Sequence, residues 1–349
     1  MTWWTDPVQG VCGESRREAA LHQGRLTKPA GSLGRLEEIA IRLAGLQRTN
    51  RPAIEQLQIR VFAGDHGVTA EGVSAFPQSV TREMIANFAR GGAAINVLAR
   101  RLNADFSVVN VGTATPMEDL PKVLQVQLAP GTDNMCLQAA MTDSVCAKAL
   151  ATGRDQVLSG SDLFIGGEMG IGNTTAAAAL VSQLLDVDPR QTVGPGTGIN
   201  DDGLERKRQA VARALALHGG KCTTPFATLA SLGGLEIAAL TGAFLAAAQR
   251  GIPVLVDGYI CSAAALLACR FNAGVANWLM FSHHSAEPGH ALVLEALRAE
   301  PLLDLGMRLG EGSGAATAVP LLKAACELHN EMATFEQAGV STADSSDTA

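Results

Sequence analysis

The 349-residue sequence is poor in aromatic residues, which make up only 4% of it, although apolar residues account for 47%. Its core must therefore be built mainly from alanine, valine, leucine and isoleucine, which suits close packing of helices on a sheet. Apolar runs stay shorter than the roughly 18 residues that a membrane-spanning helix needs, so no membrane partner is predicted. Lysine and arginine do not cluster, and the net charge is -7, which argues against a nucleic-acid partner.

Paired cysteine motifs are also missing. The seven cysteines include no CxxC pair and are odd in number, so we expect reduced thiols in a cytoplasmic protein. The first ten residues, MTWWTDPVQG, are too polar for a secretory signal.

Five segments share one pattern, in which a short apolar run leads into glycine or polar residues and then into a helical stretch. These segments are 59–68, 106–115, 162–173, 252–260 and 277–290. Strands that are so continuously apolar and alternate with helices predict an α/β fold. We expect a Rossmann-like parallel sheet with helices on both faces.

Polar residues follow these predicted strands. Asp65, Glu168, Asp257 and Ser282 each come where an apolar run ends. Parallel sheets bind ligands outside the carboxyl ends of their strands. We therefore expect these side chains to meet at one edge of the sheet.

The two ends of the chain lack convincing strands and show helical periodicity instead. The sequence therefore predicts a sheet domain with the active site over 58–312 and a small helical domain formed by 1–57 and 313–340. The tail at 341–349, STADSSDTA, is rich in small polar residues and is predicted to be disordered.

The segment GGEMGIGNTT at 166–175 places glycines between a strand and a helix, where backbone N–H groups can bind an anion. It nearly begins a dinucleotide-binding fingerprint, but the third glycine is replaced by Thr175 and the Walker A lysine is absent. A plain strand–helix turn remains the alternative. The role of Glu168, a carboxylate inside this segment, is left open by the pattern alone.

A second glycine segment, VGPGTGINDDGLERKRQAV at 193–211, precedes a helix that we expect Asp201 or Asp202 to cap. Its N–H groups, the hydroxyl of Thr197 and the charge of Lys207 could together bind a phosphate. A proline–glycine loop before a solvated, charged helix explains the segment equally well.

Three further segments could carry chemistry. SHHSAEPGH at 282–290 has three histidines, but their spacing fits a polar loop that holds a substrate better than a zinc site. In MRLGEGSGAA at 307–316, Glu311 is either a base or part of a charged turn. In the segment 63–81, adjacent Asp65 and His66 point to opposite faces and so are not predicted to form a dyad.

Taken together, the motifs resemble the nicotinate-nucleotide–dimethylbenzimidazole phosphoribosyltransferase family, whose members make α-ribazole phosphate for the lower ligand of cobalamin. The segments that carry the resemblance are LTKPAGSLGRLEEIA (26–40), FAGDHGV (62–68), GVSAFPQSVT (72–81), GGAAINVLA (91–99), GEMGIGNTTAAAAL (167–180), VGPGTG (193–198), LGGLEIAALTGA (232–243), PVLVDG (253–258), SHHSAEPGH (282–290) and LGEGSGAA (309–316). They span nearly the whole chain.

The resemblance implies transfer of phosphoribose from nicotinate mononucleotide to 5,6-dimethylbenzimidazole with inversion at C1′, without a metal or other cofactor, by a homodimer. It makes Glu311 the base that takes the benzimidazole proton, and it places Ser74 and Leu309 near that aromatic ring. Glu168 would contact the ribose hydroxyls or C1′. The other residues expected to bind substrate are Gly170, Asn173, Gly196, Thr197, Gly198, Lys207 and Ser285.

Two other functions stay open at this point. The near-fingerprint at 170–175 is compatible with a dinucleotide-dependent oxidoreductase, and a non-catalytic nucleotide- or benzimidazole-binding module would need the same pockets. Which base the protein prefers among benzimidazoles and purines is left open by the sequence.

Overall fold

The computed structural model describes residues 2–196 and 198–341. The predicted contact of Thr197 with substrate lies outside the described residues. The predicted disordered tail also lies outside them, apart from Ser341.

Six parallel strands form one sheet in the order β3-β2-β1-β4-β5-β6, which is an order typical of doubly wound sheets. The strands are β1 (Leu57–Gly64), β2 (Asp105–Gly112), β3 (Val123–Gln125), β4 (Leu163–Met169), β5 (Val254–Val256) and β6 (Leu279–Phe281). Helices cover both sides of the sheet, so the predicted fold class is confirmed. The short edge strand β3 was not predicted, because three residues give too little apolar pattern to recognise.

The helices of the described residues are, in chain order, α1 (Gly13–Gln23), α2 (Arg35–Gln47), α3 (Ser79–Arg90), α4 (Ala94–Leu102), α5 (Asp143–Asp155), α6 (Asn173–Leu185), α7 (Pro189–Thr192), α8 (Asp201–His218), α9 (Pro225–Leu232), α10 (Leu235–Gln249), α11 (Tyr259–Phe271), α12 (Pro288–Leu297), α13 (Ser313–Glu331) and α14 (Phe335–Ala338). Short 3-10 turns lie between some of them.

Small residues let the central helices approach closely. Helix α10 is buried from Leu235 to Ala248 and packs on α5. A Cβ atom on Gly153 of α5 would lie 1.7 Å from the carbonyl oxygen of Ala239, and one on Gly242 would lie 2.0 Å from that of Leu150. Glycine is therefore required at these two positions, where even the Cβ atom of alanine would not fit.

The carboxyl ends of the strands carry the polar residues that the sequence predicts there. Asp65, Asp257 and Ser282 directly follow β1, β5 and β6, and Glu168 is the penultimate residue of β4. β1 and β4 are neighbours between which the strand order reverses, and ligands of doubly wound sheets bind beside such a reversal.

The chain divides into two compact units. One contains the residues up to Gln9 and Gln56–Ala318, and it holds the whole sheet. The other contains Gly10–Glu55 and the residues from Val319 onward, and the regular elements among its described residues are helices. The domain borders given above stay a prediction. Within residues 2–196 and 198–341, no helix is both long and apolar enough to cross a membrane.

Candidate active site

A cleft opens at the carboxyl edge of the sheet. The residues predicted to bind substrate that line it are Glu168, Gly170, Asn173, Gly196, Ser285 and Leu309. A smaller adjoining cavity is lined by Ser74 and Lys207 and shares Gly170, Asn173 and Gly196 with the cleft. The fold therefore brings most of the predicted site residues together from distant parts of the chain.

Glu168 is a buried carboxyl group that lines the cleft. The side-chain amide of Asn173 and the backbone N–H of Glu311 both donate hydrogen bonds to it. Burial, with the charges of Asp257 and Glu236, raises its pKa to about 8. A Cβ atom on Gly310 would lie 2.1 Å from the Glu168 Oε1 atom, so the glycine there gives this carboxyl group its space.

Glu311 lies directly against the end of β4. A Cβ atom on Gly167 would come within 2.3 Å of the Glu311 carbonyl oxygen. The φ angle of Glu311 is 66°, in the left-handed region that residues with a side chain rarely adopt. Backbone strain of this kind concentrates at functional sites, where the surrounding structure maintains it.

The Glu311 side chain points toward the start of α4. Its carboxyl group accepts the backbone N–H of Ile95, and burial raises its pKa to about 7. The Oε2 atom has no hydrogen-bond partner among the described residues. Glu311 is only 5% exposed and is not one of the residues that line the main cleft, although its neighbours Leu309 and Gly310 are.

Asp257 holds the Glu311 loop in place. Its Oδ2 atom accepts the N–H of Gly312 at 3.1 Å, and its Oδ1 atom accepts that of Ala315 at 2.9 Å. These bonds satisfy donors at the N-terminus of α13, which have no partner within the helix. The sequence placed Asp257 at the sheet edge but gave no sign of this capping role.

Lys207 is buried beside Gly194 and Gly196. Its Nζ atom donates to Thr174 Oγ1 at 2.8 Å and to the carbonyl oxygen of Gly194 at 3.0 Å. Burial lowers its pKa to about 8, although the charge of Glu287 acts in the opposite direction. The ammonium group is therefore held beside Gly194 and Gly196 by neutral oxygens.

The prediction that Asp201 or Asp202 caps α8 is wrong. Asn200 is the cap, and its Oδ1 atom accepts the N–H of Gly203 at 2.9 Å. Both aspartates lie in the first turn of the helix, where their charges favour the positive end of its dipole.

His66 and Glu236 form a buried pair that the sequence did not predict. The His66 Nε2 atom lies 2.7 Å from Glu236 Oε1, and both side chains are buried. Burial acts to lower the pKa of His66, but the charges of Glu236 and Asp65 outweigh it, and the pKa is raised. Asp65 instead accepts the N–H of Ala114, so the two adjacent residues do not form a dyad.

Arg308, which sequence reasoning also missed, lines the cleft and donates to the carbonyl oxygen of Gly196 at 3.3 Å. It adds a second cation to the glycine segment beside Lys207.

Within the described part of the chain, no group of three or more histidine, cysteine, aspartate or glutamate residues could hold a metal ion. Two histidines of the segment 282–290 have ring nitrogens within hydrogen-bond distance of neighbouring serines: His283 Nδ1 lies 2.9 Å from the Ser282 hydroxyl oxygen, and His290 Nε2 lies 3.0 Å from that of Ser262.

Comparison with known proteins identifies the family. A family model described as phosphoribosyltransferase matches residues 8–340. The nicotinate-nucleotide–dimethylbenzimidazole phosphoribosyltransferases of Pseudomonas aeruginosa (strain UCBPP-PA14) and Ectopseudomonas mendocina (strain ymp) are 59% and 57% identical to the chain. These alignments cover 98% and 97% of the chain and 98% of each relative. The chain belongs to this family.

Solved structures agree with this assignment. The crystal structure of nicotinate-nucleotide–dimethylbenzimidazole phosphoribosyltransferase from Thermus thermophilus matches with a TM-score of 0.89 at 46% identity, covering 95% of this chain and 100% of that one. The resemblance predicted from the motifs is therefore confirmed, and the chain is a phosphoribosyltransferase. The relatives favour neither an oxidoreductase nor a non-catalytic binding module.

Proposed function

We propose that the protein transfers phosphoribose from nicotinate mononucleotide to 5,6-dimethylbenzimidazole, giving α-ribazole 5′-phosphate and free nicotinate. The names of its relatives supply the two substrates. The observation that carries the proposal is the buried carboxyl group of Glu311, which has one oxygen without a partner among the described residues and a pKa raised to about 7. A base whose pKa lies near the working pH is well suited to proton transfer.

The chemistry requires little beyond positioning and one base. A ring nitrogen of the benzimidazole attacks ribose C1′ from the face opposite the leaving group, so the configuration inverts. The bond from C1′ to the pyridinium nitrogen breaks, and its electron pair neutralises that nitrogen. Because the leaving group becomes neutral, it needs no acid. The proton on the other benzimidazole nitrogen passes to Glu311, which removes the positive charge from the product.

We place the nucleotide in the cleft and the adjoining cavity. We assign its 5′-phosphate to Lys207 and to Gly196, Thr197 and Gly198 of the second glycine segment, because the buried Lys207 ammonium group donates to the carbonyl oxygen of Gly194 in the same segment. Gly170 and Asn173 border both cavities and would contact the sugar.

The remaining assignments follow the shape of the site. Ser285 would bind the nucleotide from the opposite wall, and Ser74 and Leu309 would border the benzimidazole. Glu168 would contact the ribose, since it faces the cleft between the two glycine segments. A carboxyl group in that place can accept a hydrogen bond from a ribose hydroxyl; once ionised, which its raised pKa delays to about pH 8, it would attract the electron-poor C1′ and repel a phosphate.

The test is release of nicotinate from nicotinate mononucleotide, measured with and without 5,6-dimethylbenzimidazole. We expect release to require both substrates. Release without the base would indicate hydrolysis, and no release with both substrates present would contradict the proposal.

We further propose that the protein is a cytoplasmic homodimer, as the family resemblance implies. Sedimentation at working concentration tests the dimer.

A further inference from the structure

His290, at the start of α12, is a buried histidine with both ring nitrogens in hydrogen bonds. The backbone N–H of Ser285 lies 2.8 Å from its Nδ1 atom, and the hydroxyl oxygen of Ser262 lies 3.0 Å from its Nε2 atom. His290 and Ser262 are fully buried, and Ser285 is 2% exposed. The ring therefore joins the loop before α12 to the first turn of α11.

These contacts decide which nitrogen carries the hydrogen. A backbone N–H can only donate, so His290 Nδ1 must accept and must be unprotonated. The ring hydrogen is then on Nε2, where it is donated to the Ser262 hydroxyl oxygen. If the ring were charged, Nδ1 would also carry a hydrogen, and that hydrogen would point at the N–H of Ser285 with no acceptor between them. Burial and the neighbouring His283 and His284 lower the pKa of His290 to about 3, which agrees with a neutral ring.

The hydrogen bond from the Ser285 N–H to His290 Nδ1 fixes the position of Ser285. Ser285 lines the cleft, and its Oγ atom accepts the backbone N–H of Glu287 at 3.4 Å. With a lone pair of the hydroxyl oxygen engaged in this way, its hydrogen can be donated into the cleft. The direction of that hydroxyl depends on the loop backbone, which His290 holds at Ser285.

We propose that His290 is a positioning residue for nucleotide binding, which acts through its Nδ1 acceptor to hold Ser285 against the substrate. This inference rests on the proposed function, because it takes Ser285 as a contact of nicotinate mononucleotide. It assigns the third histidine of the segment 282–290 a role in positioning the loop that carries Ser285.

Two substitutions separate this role from packing. In His290→Asn, the side-chain oxygen can replace Nδ1 as the acceptor for Ser285, whereas in His290→Gln the longer side chain reaches the position of Nε2 instead. We expect the KM for nicotinate mononucleotide to rise about tenfold in His290→Gln, the cost of one lost bond, and to stay within about twofold in His290→Asn. The kcat at saturation should change less than KM in both. Ser262→Ala is the matched control, and we expect it to lower Tm while leaving KM unchanged.

Equal increases in KM for the two His290 variants, or a loss of Tm alone in both, would overturn the proposal. Nitrogen-15 NMR of the histidine-labelled parent protein tests it without any substitution: we expect an unprotonated Nδ1 and a protonated Nε2 at pH 7. A hydrogen on Nδ1 would contradict it. The parent protein is measured in the same assay, so a failure of the proposed function would appear there as absent nicotinate release.

Discussion

Replacing Glu311 by glutamine removes the proposed base and preserves its shape. The glutamine oxygen can still accept the N–H of Ile95, as the glutamate does, but the amide cannot take up a proton from the benzimidazole. Loss of a positioned general base costs about 10²–10⁴ in rate. We expect kcat to fall by that factor while nicotinate mononucleotide still binds.

The pH dependence gives the same prediction a second signature. The pKa of Glu311 is raised to about 7, and only its ionised form can accept a proton. In the parent protein, activity should therefore rise about tenfold per pH unit below pH 7 and level off above it. In Glu311→Gln, the residual activity should lose this dependence.

Stability serves as the control on folding. Because the pKa of Glu311 is higher in the folded protein than in the unfolded chain, the protonated group adds to the free energy of unfolding at low pH. This addition, at most about 3 kcal/mol, is lost as the pH rises from about 4.5 to 7. At pH 8 the glutamine variant should thus be no less stable than the parent. Exposed Glu295 on α12, replaced by glutamine, is the matched control. Near-normal turnover in Glu311→Gln, with the fold intact, would refute the assignment of the base.

The remaining predictions concern the nucleotide and metals. Lys207→Ala should weaken binding of nicotinate mononucleotide by roughly 1.5–3 kcal/mol, which is the value of a charge-assisted hydrogen bond. Binding of the benzimidazole should weaken much less. If calorimetry finds an unchanged nucleotide affinity, the phosphate binds elsewhere. Glu168→Gln should worsen both KM and kcat, with kcat reduced less than in Glu311→Gln, because a ribose contact acts in the ground state and the transition state alike; steady-state kinetics showing the larger loss of kcat at Glu168 would move the base to that residue. EDTA should leave turnover intact, because the pyridinium leaving group is activated by its own charge, and a loss of turnover that zinc restores would contradict this.

The parts of the fold that sequence could predict rest on local patterns. Continuous apolar runs that end in Asp65, Asp257 and Ser282 marked the strands and their carboxyl ends, and parallel pairing then fixed one edge of the sheet as the site. The glycines of 166–172 were recognised because a strand–helix turn near a ligand needs close backbone approach.

The parts that sequence could not predict depend on contacts between distant residues. His66 and Glu236 are 170 positions apart, and no local pattern relates them. The bond from Asp257 to the N–H of Ala315 crosses 58 positions. The capping of α8 by Asn200 was missed for a different reason: three adjacent residues, Asn200, Asp201 and Asp202, are all good caps, and only the backbone angles select one.

The most direct test of the central claim is the configuration of the product. Nicotinate mononucleotide and 5,6-dimethylbenzimidazole would be incubated with the protein, and the purified product examined by proton NMR for contacts across the ribose ring between the base and the sugar hydrogens. We predict an α-linked ribazole 5′-phosphate formed in equal amount to the nicotinate released. A β-linked product, or ribose 5-phosphate in place of a base-linked product, would contradict the account, because neither follows from attack on C1′ opposite the leaving group with Glu311 as the base.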